Sequence, residues 1–424
     1  MNYFGIIIRF SLVFALLLNL FLMTGCYDQR EIDELAYPMA IGLDVGEANE
    51  LRMTLQLAVP ISIGGGSSGS RGGKGDGGGN ETTTIITVDT PSIYSGLNLI
   101  NNIISKEINV SHTKAIIMSK KFAEMGVSKY LHAFKRGREF KPDIFIVVSM
   151  DPPEEYLKET MLLLEVNPSK YYEQMLGKKF TSFFPNVRLH NFHQKLECDA
   201  VEPIAILTAL SKYESVEQFK DSIPKNGNAF IDEGSYKAGH IPILSDRKNE
   251  VMGIAVFKED KMCGILNGKE STCMQLVTGE FNHTYWTLPD PQVDNHIVVL
   301  NIFRRKRPVV KINMTGGKVK ANIGIDLEGD FVSIQSGHEY ESQPEIIEKK
   351  VEEMLEKSIL ELLEKTRDEF DSDICGIGNF VKKKFLTFDE WEKYNWRDQY
   401  KYTDFEVDVN FKIRRTGLII KTGR

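Results

Sequence analysis

Residues 345–370 read EIIEKKVEEMLEKSILELLEKTRDEF, and their spacing decides the fold class. Apolar side chains recur at Ile346, Ile347, Val351, Met354, Leu355, Ile359, Leu362, Leu363 and Phe370. That period belongs to an α-helix with one apolar face and an opposite face rich in Glu and Lys. At a rise of about 1.5 Å per residue the stretch is about 39 Å long. Ser342 is placed to cap it, and Pro344 falls in its first turn. The stripe is too wide for a coiled-coil seam. The helix is therefore expected to lie with one side on a sheet.

Strands for that sheet stand on both sides of it. Residues 309–314 and 319–327 read as two strands joined through Gly316-Gly317, and residues 405–415 alternate Phe405, Val407, Val409, Phe411 and Ile413. A short helix is expected over 379–385. Upstream, residues 250–257 and 261–266 flank Lys258-Glu259-Asp260 as a hairpin. Leu288-Pro289-Asp290-Pro291 reads as a loop before a strand at 297–302, and Arg304-Arg305-Lys306-Arg307 as a solvated strand end.

The first half alternates strands and helices. Residues 32–41 have helix-like spacing, 51–60 alternate as a strand, and 82–88 resume as a strand. Helices are expected at 91–104, 122–134, 154–164 and 169–180, with strands at 115–118 and 140–150. Residues 180–193 are aromatic-rich and irregular. The run at 64–79 is Gly- and Ser-rich and reads as a flexible insertion. It is not a phosphate-binding loop: Ser68 stands where the motif needs Gly, and Gly75 follows Lys74 where it needs Ser or Thr. The class is α+β, with largely antiparallel sheets. Divisions are expected at 1–25, 26–203 (N-terminal α/β, with the 64–79 loop), 204–307 (β-rich) and 308–424 (α+β, with the helix 345–370).

The N-terminus carries an export signal. Arg9 is the one charge before Asp28, within an apolar stretch that runs to Met23. Leu22-Met23-Thr24-Gly25-Cys26 resembles the lipobox of bacterial lipoproteins, with Met23 where Leu is usual. The resemblance implies cleavage before Cys26, a lipid on its thiol, and acyl chains such as palmitate. An uncleaved signal anchor also needs about 18 apolar residues, but it has no use for the Gly-Cys pair. Two acyl chains anchor stably where one is marginal.

Of the 424 residues, 42% are hydrophobic and 26% charged, with a net charge of −7. Nothing in that balance points to nucleic acid or to an electrostatic grip on anionic lipid. No stretch after Cys26 is apolar enough to span a bilayer, so attachment is expected through the lipid. Cys198, Cys263, Cys273 and Cys375 have no framework or CxxC spacing; one disulfide or none is expected, and no zinc.

Catalytic constellations are absent from the sequence. There is no HExxH, and no cysteine has a motif-placed histidine. His190 and His193 lack a triad partner and read as packed or exposed. Glu154-Glu155 and Glu352-Glu353 read as acidic helix faces. The expectation is a protein without enzymatic activity, metal or cofactor.

Four ordered stretches resemble the Ger(x)C family, the lipoprotein C subunits of nutrient germinant receptors in endospore formers. They are Gly25-Cys26-Tyr27-Asp28-Gln29-Arg30-Glu31 with Ile41-Gly42-Leu43-Asp44; Arg138-Glu139-Phe140-Lys141-Pro142-Asp143-Ile144; Gly253-Ile254-Ala255-Val256-Phe257-Lys258 with Leu266-Asn267-Gly268-Lys269-Glu270; and Asp373-Ile374-Cys375-Gly376-Ile377-Gly378 with Val407-Asp408-Val409 and Ile413-Arg414-Arg415-Thr416-Gly417. Tyr27 replaces the usual Trp, Pro142 departs within the second stretch, and the 64–79 run is an insertion. The resemblance implies three mixed α/β domains on the outer surface of the inner spore membrane. It implies partners, an integral A subunit and a transporter-like B subunit that recognises the nutrient, with lipid attachment at Cys26. Gly253, Gly268, Gly376 and Gly378 read as turn and cap positions. Asp28, Arg30 and Glu31 read as caps and surface pairs, with partner contact the alternative. A solute-binding lipoprotein of an importer is the competing function, and no internal duplication supports its two lobes.

Overall fold

A computed structural model describes residues 3–22, 32–59, 83–160, 165, 168–178, 181–215, 218 and 232–416. Cys26, residues 27–31, the 64–79 run and Gly417 lie outside the described residues, as do parts of the expected helices 154–164 and 169–180. The apolar N-terminal stretch is helix α1, Tyr3–Leu22. Among the described residues no helix is long and apolar enough to cross a membrane.

Eight strands form the first sheet: β1 (Pro38–Val45), β2 (Leu51–Ala58), β3 (Thr83–Thr90), β4 (Ala115–Ser119), β5 (Phe145–Ser149), β6 (Ile204–Leu210), β7 (Asn249–Lys258) and β8 (Lys261–Leu266). Their order is β8-β7-β6-β5-β4-β1-β2-β3. The central four are parallel, and antiparallel pairs flank them on both sides. This makes β1 a correction, because residues 32–41 carry helix-like spacing. Met39, Ala40, Ile41 and Leu43 are all buried. A strand covered on both faces has no polar side and so shows no alternation.

Helices α2 (Ile93–Ile100), α3 (Lys120–Met125), α4 (Ser128–Arg136), α5 (Pro153–Lys158), α6 (Pro168–Leu176) and α7 (Leu189–Leu196) accompany this sheet. The expected single helix at 122–134 is two, broken at Gly126, whose φ is +120°. Helix α7 falls where irregular chain was expected. A Cβ at Gly42 would stand 2.7 Å from the Pro153 Cβ, so glycine lets α5 settle directly on β1.

The second sheet contains β9 (His283–Pro289), β10 (Ile297–Arg304), β11 (Val309–Thr315), β12 (Lys318–Ile334) and β13 (Asp404–Arg415). Strand β12 is its spine. Strands β11 and β10 pair end to end along one edge, and β13 pairs parallel along the other. Buried residues alternate along β12, and the apolar stripe expected at 345–370 forms α9, Pro344–Asp368. Ile347, Val351, Leu355, Ile359, Leu362 and Leu363 are buried beneath it. Ser342 does not cap this helix; its hydroxyl donates to the Glu339 carbonyl at 2.8 Å, and Gln343 is the N-cap residue.

One face of α9 is more than a solvated acidic surface. Glu348, Glu352 and Glu356 accept the backbone N–H groups of Ile413 (2.9 Å), Phe411 (2.9 Å) and Val409 (3.0 Å). Four helical residues advance about 6 Å and two strand residues about 6.6 Å, so the two repeats stay in step. The three carboxylates thereby occupy the outer edge of β13. Glu353 points away and pairs with Lys349 at 3.8 Å.

Neither expected internal division coincides with a gap between sheets. Strand β6 joins β5 across 203/204, and β9 and β10 join β12 across 307/308. The expected middle region is thus shared between the two sheets. The two sheets are bridged by helix α8, Gly268–Thr278, which touches β7, α9 and β12. Its residues 271–277 are all buried, so it shows no polar face and no helical stripe in the sequence.

Candidate functional site

The third and fourth sequence motifs meet at a joint between the first sheet and the C-terminal helices. The Ser372 hydroxyl donates to the Phe257 carbonyl at 2.6 Å, and Lys258 pairs with Asp371. Glu202 accepts the Glu259 N–H at 2.7 Å and pairs with Arg397 at 2.8 Å, while Arg397 also reaches the Cys198 carbonyl at 2.9 Å. Glu270 completes a capping box with Asn267 on α8 and pairs with Lys365 of α9 at 2.7 Å. The third motif therefore holds the chain leading into the fourth in two ways, through the hairpin and through α8.

Asp373 is the centre of this joint. It is buried, and its carboxylate accepts the N–H groups of Ile377 (3.0 Å) and Gly378 (2.7 Å) and the Trp396 indole N–H (3.0 Å). Burial raises its pKa; the hydrogen bonds oppose that shift. Gly376 has φ +71°, and Gly253 φ +94°, where side chains other than glycine are strained. Gly268 and Gly378 instead begin α8 and α10 (Gly378–Lys382). A Cβ at Gly378 would strike the Trp396 ring and come within 2.5 Å of the Ala200 carbonyl oxygen.

The other motif stretches lie away from the joint. Gly42 sits mid-sheet in β1. Phe140 stacks edge-on to Phe134 at 4.7 Å, and the Pro142 and Ile144 carbonyls accept the N–H groups of His190 (3.1 Å) and Leu189 (2.7 Å). His193 is buried with Nε2 3.0 Å from the Leu131 carbonyl, and His190 is exposed. The two do not converge. Among the described residues no group of three or more His, Cys, Asp or Glu is arranged to hold a metal. Cys198, Cys263, Cys273 and Cys375 are free thiols, and burial pushes the Cys273 thiol up to about 12.

A polar cleft lies beside the joint and carries no local sequence signal. One cavity of about 430 Å³ is lined by Lys178, Arg188, Asn191, Gln275, Asn282 and His283 among others. A second of about 340 Å³ shares Asn186, Asn191 and Glu280 with it. Arg188 lies 3.5 Å above the Phe145 ring and donates to Asn186 at 2.8 Å; burial lowers the pKa of both Arg188 and Lys178. Amides and cations offer hydrogen bonds here, without a paired nucleophile and base.

The chain carries two recognisable family segments. Residues 28–209 match the spore germination protein N-terminal domain, and residues 252–417 match the C-terminal domain described as spore germination B3/GerAC like. The chain belongs to the Ger(x)C family. It is 24% identical over 416 residues to spore germination protein KC of Bacillus subtilis (strain 168), covering 96% of each chain. It is 20% identical to spore germination protein B3 of the same organism, covering 97% of this chain and 99% of that one, and 20% identical to GerQC of Bacillus cereus (96% and 98%). The crystal structure of the GerBC protein superposes with a TM-score of 0.53 at 15% identity, covering 88% of this chain and 96% of that one. That likeness bears out the α+β fold. The Ger(x)C relatives are spore germination proteins.

Proposed function

We propose that this Ger(x)C protein is the non-catalytic C subunit of a nutrient germinant receptor, held at the membrane by a lipid on Cys26. The body then sits on the outer surface of the inner spore membrane, beside an integral A subunit and a transporter-like B subunit. Nutrient contact is indirect and falls to those partners. The observation that carries this reading is the match of both family segments, in order, over 28–209 and 252–417. The Gly25-Cys26 pair after an apolar α1 supplies the anchor.

The test is Cys26→Ala. Its expected result is loss of the protein from the spore membrane fraction and loss of germination in response to nutrients. Normal nutrient germination by that strain would overturn the anchoring-dependent role. Cross-linked co-purification of the wild-type chain with two multi-span proteins supports the receptor; co-purification with an ATPase would place it in an importer instead.

A further inference from the structure

Among the described residues no large apolar side chain is more exposed than Leu386, at 95%, and Phe388 two positions on is 58% exposed. They stand at the turn between α10 and α11, Phe388–Tyr394. That turn is braced. Phe385 stacks on Trp391 at 5.6 Å and on Tyr394 at 4.9 Å. The Thr387 hydroxyl accepts the Glu390 N–H at 3.3 Å, and the Glu390 carboxylate accepts the Leu386 N–H at 3.1 Å. Tyr394 donates to the Gly317 carbonyl at 3.2 Å, fixing the base against the β11–β12 turn. Two large apolar groups are thus held out to water by a pinned loop, an arrangement that core packing does not require.

Three lysines precede them. Lys382 is occupied by Asp199 at 3.2 Å, while Lys383 and Lys384 are exposed. No acid lies between residues 382 and 388, and Glu390 is turned back onto the loop amides. Asp389 and Glu392 are exposed on the following helix. We propose that this tip docks into the headgroup and upper acyl region of an anionic lipid bilayer, with Leu386 and Phe388 inserted and Lys383 and Lys384 on the phosphates. Apolar groups beside lysines suit that boundary, whereas protein interfaces are depleted of lysine. The proposal rests on the Cys26 anchor, which confines the body beside such a surface.

The experiment uses the lipidated full chain carrying Leu386→Trp, reconstituted into vesicles containing phosphatidylglycerol and a doxyl-labelled lipid. The native Trp286, Trp391 and Trp396 are buried, so the parent chain supplies the background. The added tryptophan is expected to emit at shorter wavelength and to be quenched by the doxyl group. Lys383→Glu with Lys384→Glu should reverse both effects. Vesicle flotation and the intact mass of the acylated chain report the anchor independently. A floating, acylated chain whose residue 386 is unquenched overturns the tip alone; a chain neither acylated nor floating overturns anchor and tip together. Equal quenching in pure phosphatidylcholine overturns the anionic assignment. Burial of residue 386 only on co-reconstitution with membrane proteins makes the tip a protein contact and overturns the lipid one.

Discussion

Asp373 turns a short glycine-rich motif into a joint. Its carboxylate holds two backbone amides and an indole, and Asp373→Ala strands all three in a buried site. That variant should lose on the order of 3 kcal/mol, read as a lower urea midpoint. Burial raises the pKa of Asp373 and, by the same cause, that of Glu202. A carboxyl whose folded pKa lies above its unfolded one stabilises most below the unfolded value, and that contribution is lost as pH rises through the folded value. Stability measured upward from about pH 4 should therefore carry a falling component that Asp373→Ala diminishes. An unchanged slope in the variant would show that burial is not what governs this carboxyl. Asp290 and Asp326 act with the opposite sign: their pKa values are lowered, and their contribution is lost as pH falls through those values. Gly376 was legible as a turn position, because φ beyond +20° leaves few alternatives. The buried acceptor was not, since an Asp at a turn looks the same whether water or Trp396 faces it.

At the level of elements, the long helix was the clearest signal and its glutamates the least. The stripe from Ile346 to Leu363 predicts a helix lying on a sheet, and α9 lies on β13. The same reading took Glu352 and Glu353 together as a solvated face, but only Glu353 is one. Glu348, Glu352 and Glu356 pair with an edge that would otherwise present free N–H groups to another chain. Replacing all three by Ala should weaken the fold and make the protein associate with rising concentration in sedimentation. Glu353→Ala should change stability by less than about 0.5 kcal/mol. If the triple variant stays monomeric and as stable as the parent, the carboxylates are not what protects β13. Helix α8 was missed for a related reason. A helix buried on every side has no period to read, and its Thr272 and Gln275 are satisfied by the Ser182 carbonyl, at 3.1 and 2.5 Å.

For the whole molecule, continuity of the sheets matters more than the divisions of the chain. The family segments end at residue 209 and begin at residue 252, inside β6 and β7, and those strands are neighbours in one sheet. A fragment ending at residue 203 leaves the parallel strand β5 without β6 and removes the hairpin on which the joint is built. Such a fragment is expected to be insoluble or to show no protected amides in hydrogen exchange. Cooperative folding of it would mean that β6–β8 are an addition rather than part of the core. Charge behaves in the same way. A net charge of −7 says nothing of where charges gather, and the exposed Lys383 and Lys384 beside Leu386 form a basic, apolar tip on an acidic protein.

The sequence by itself determined the α+β class, the alternating strands β2 and β13, the hairpin at Lys258-Glu259-Asp260, the amphipathic α9 and the family. Each of these rests on local periodicity, on turn chemistry or on ordered short motifs, and such signals survive without tertiary context. Only the tertiary structure decided that residues 38–45 are a central strand, that α8 bridges two sheets, and that the motifs around Gly253 and Asp373 lock together. The physical reason is common to all three. Burial on every side erases the contrast between polar and apolar faces, and contacts between residues far apart in the chain leave no spacing to read.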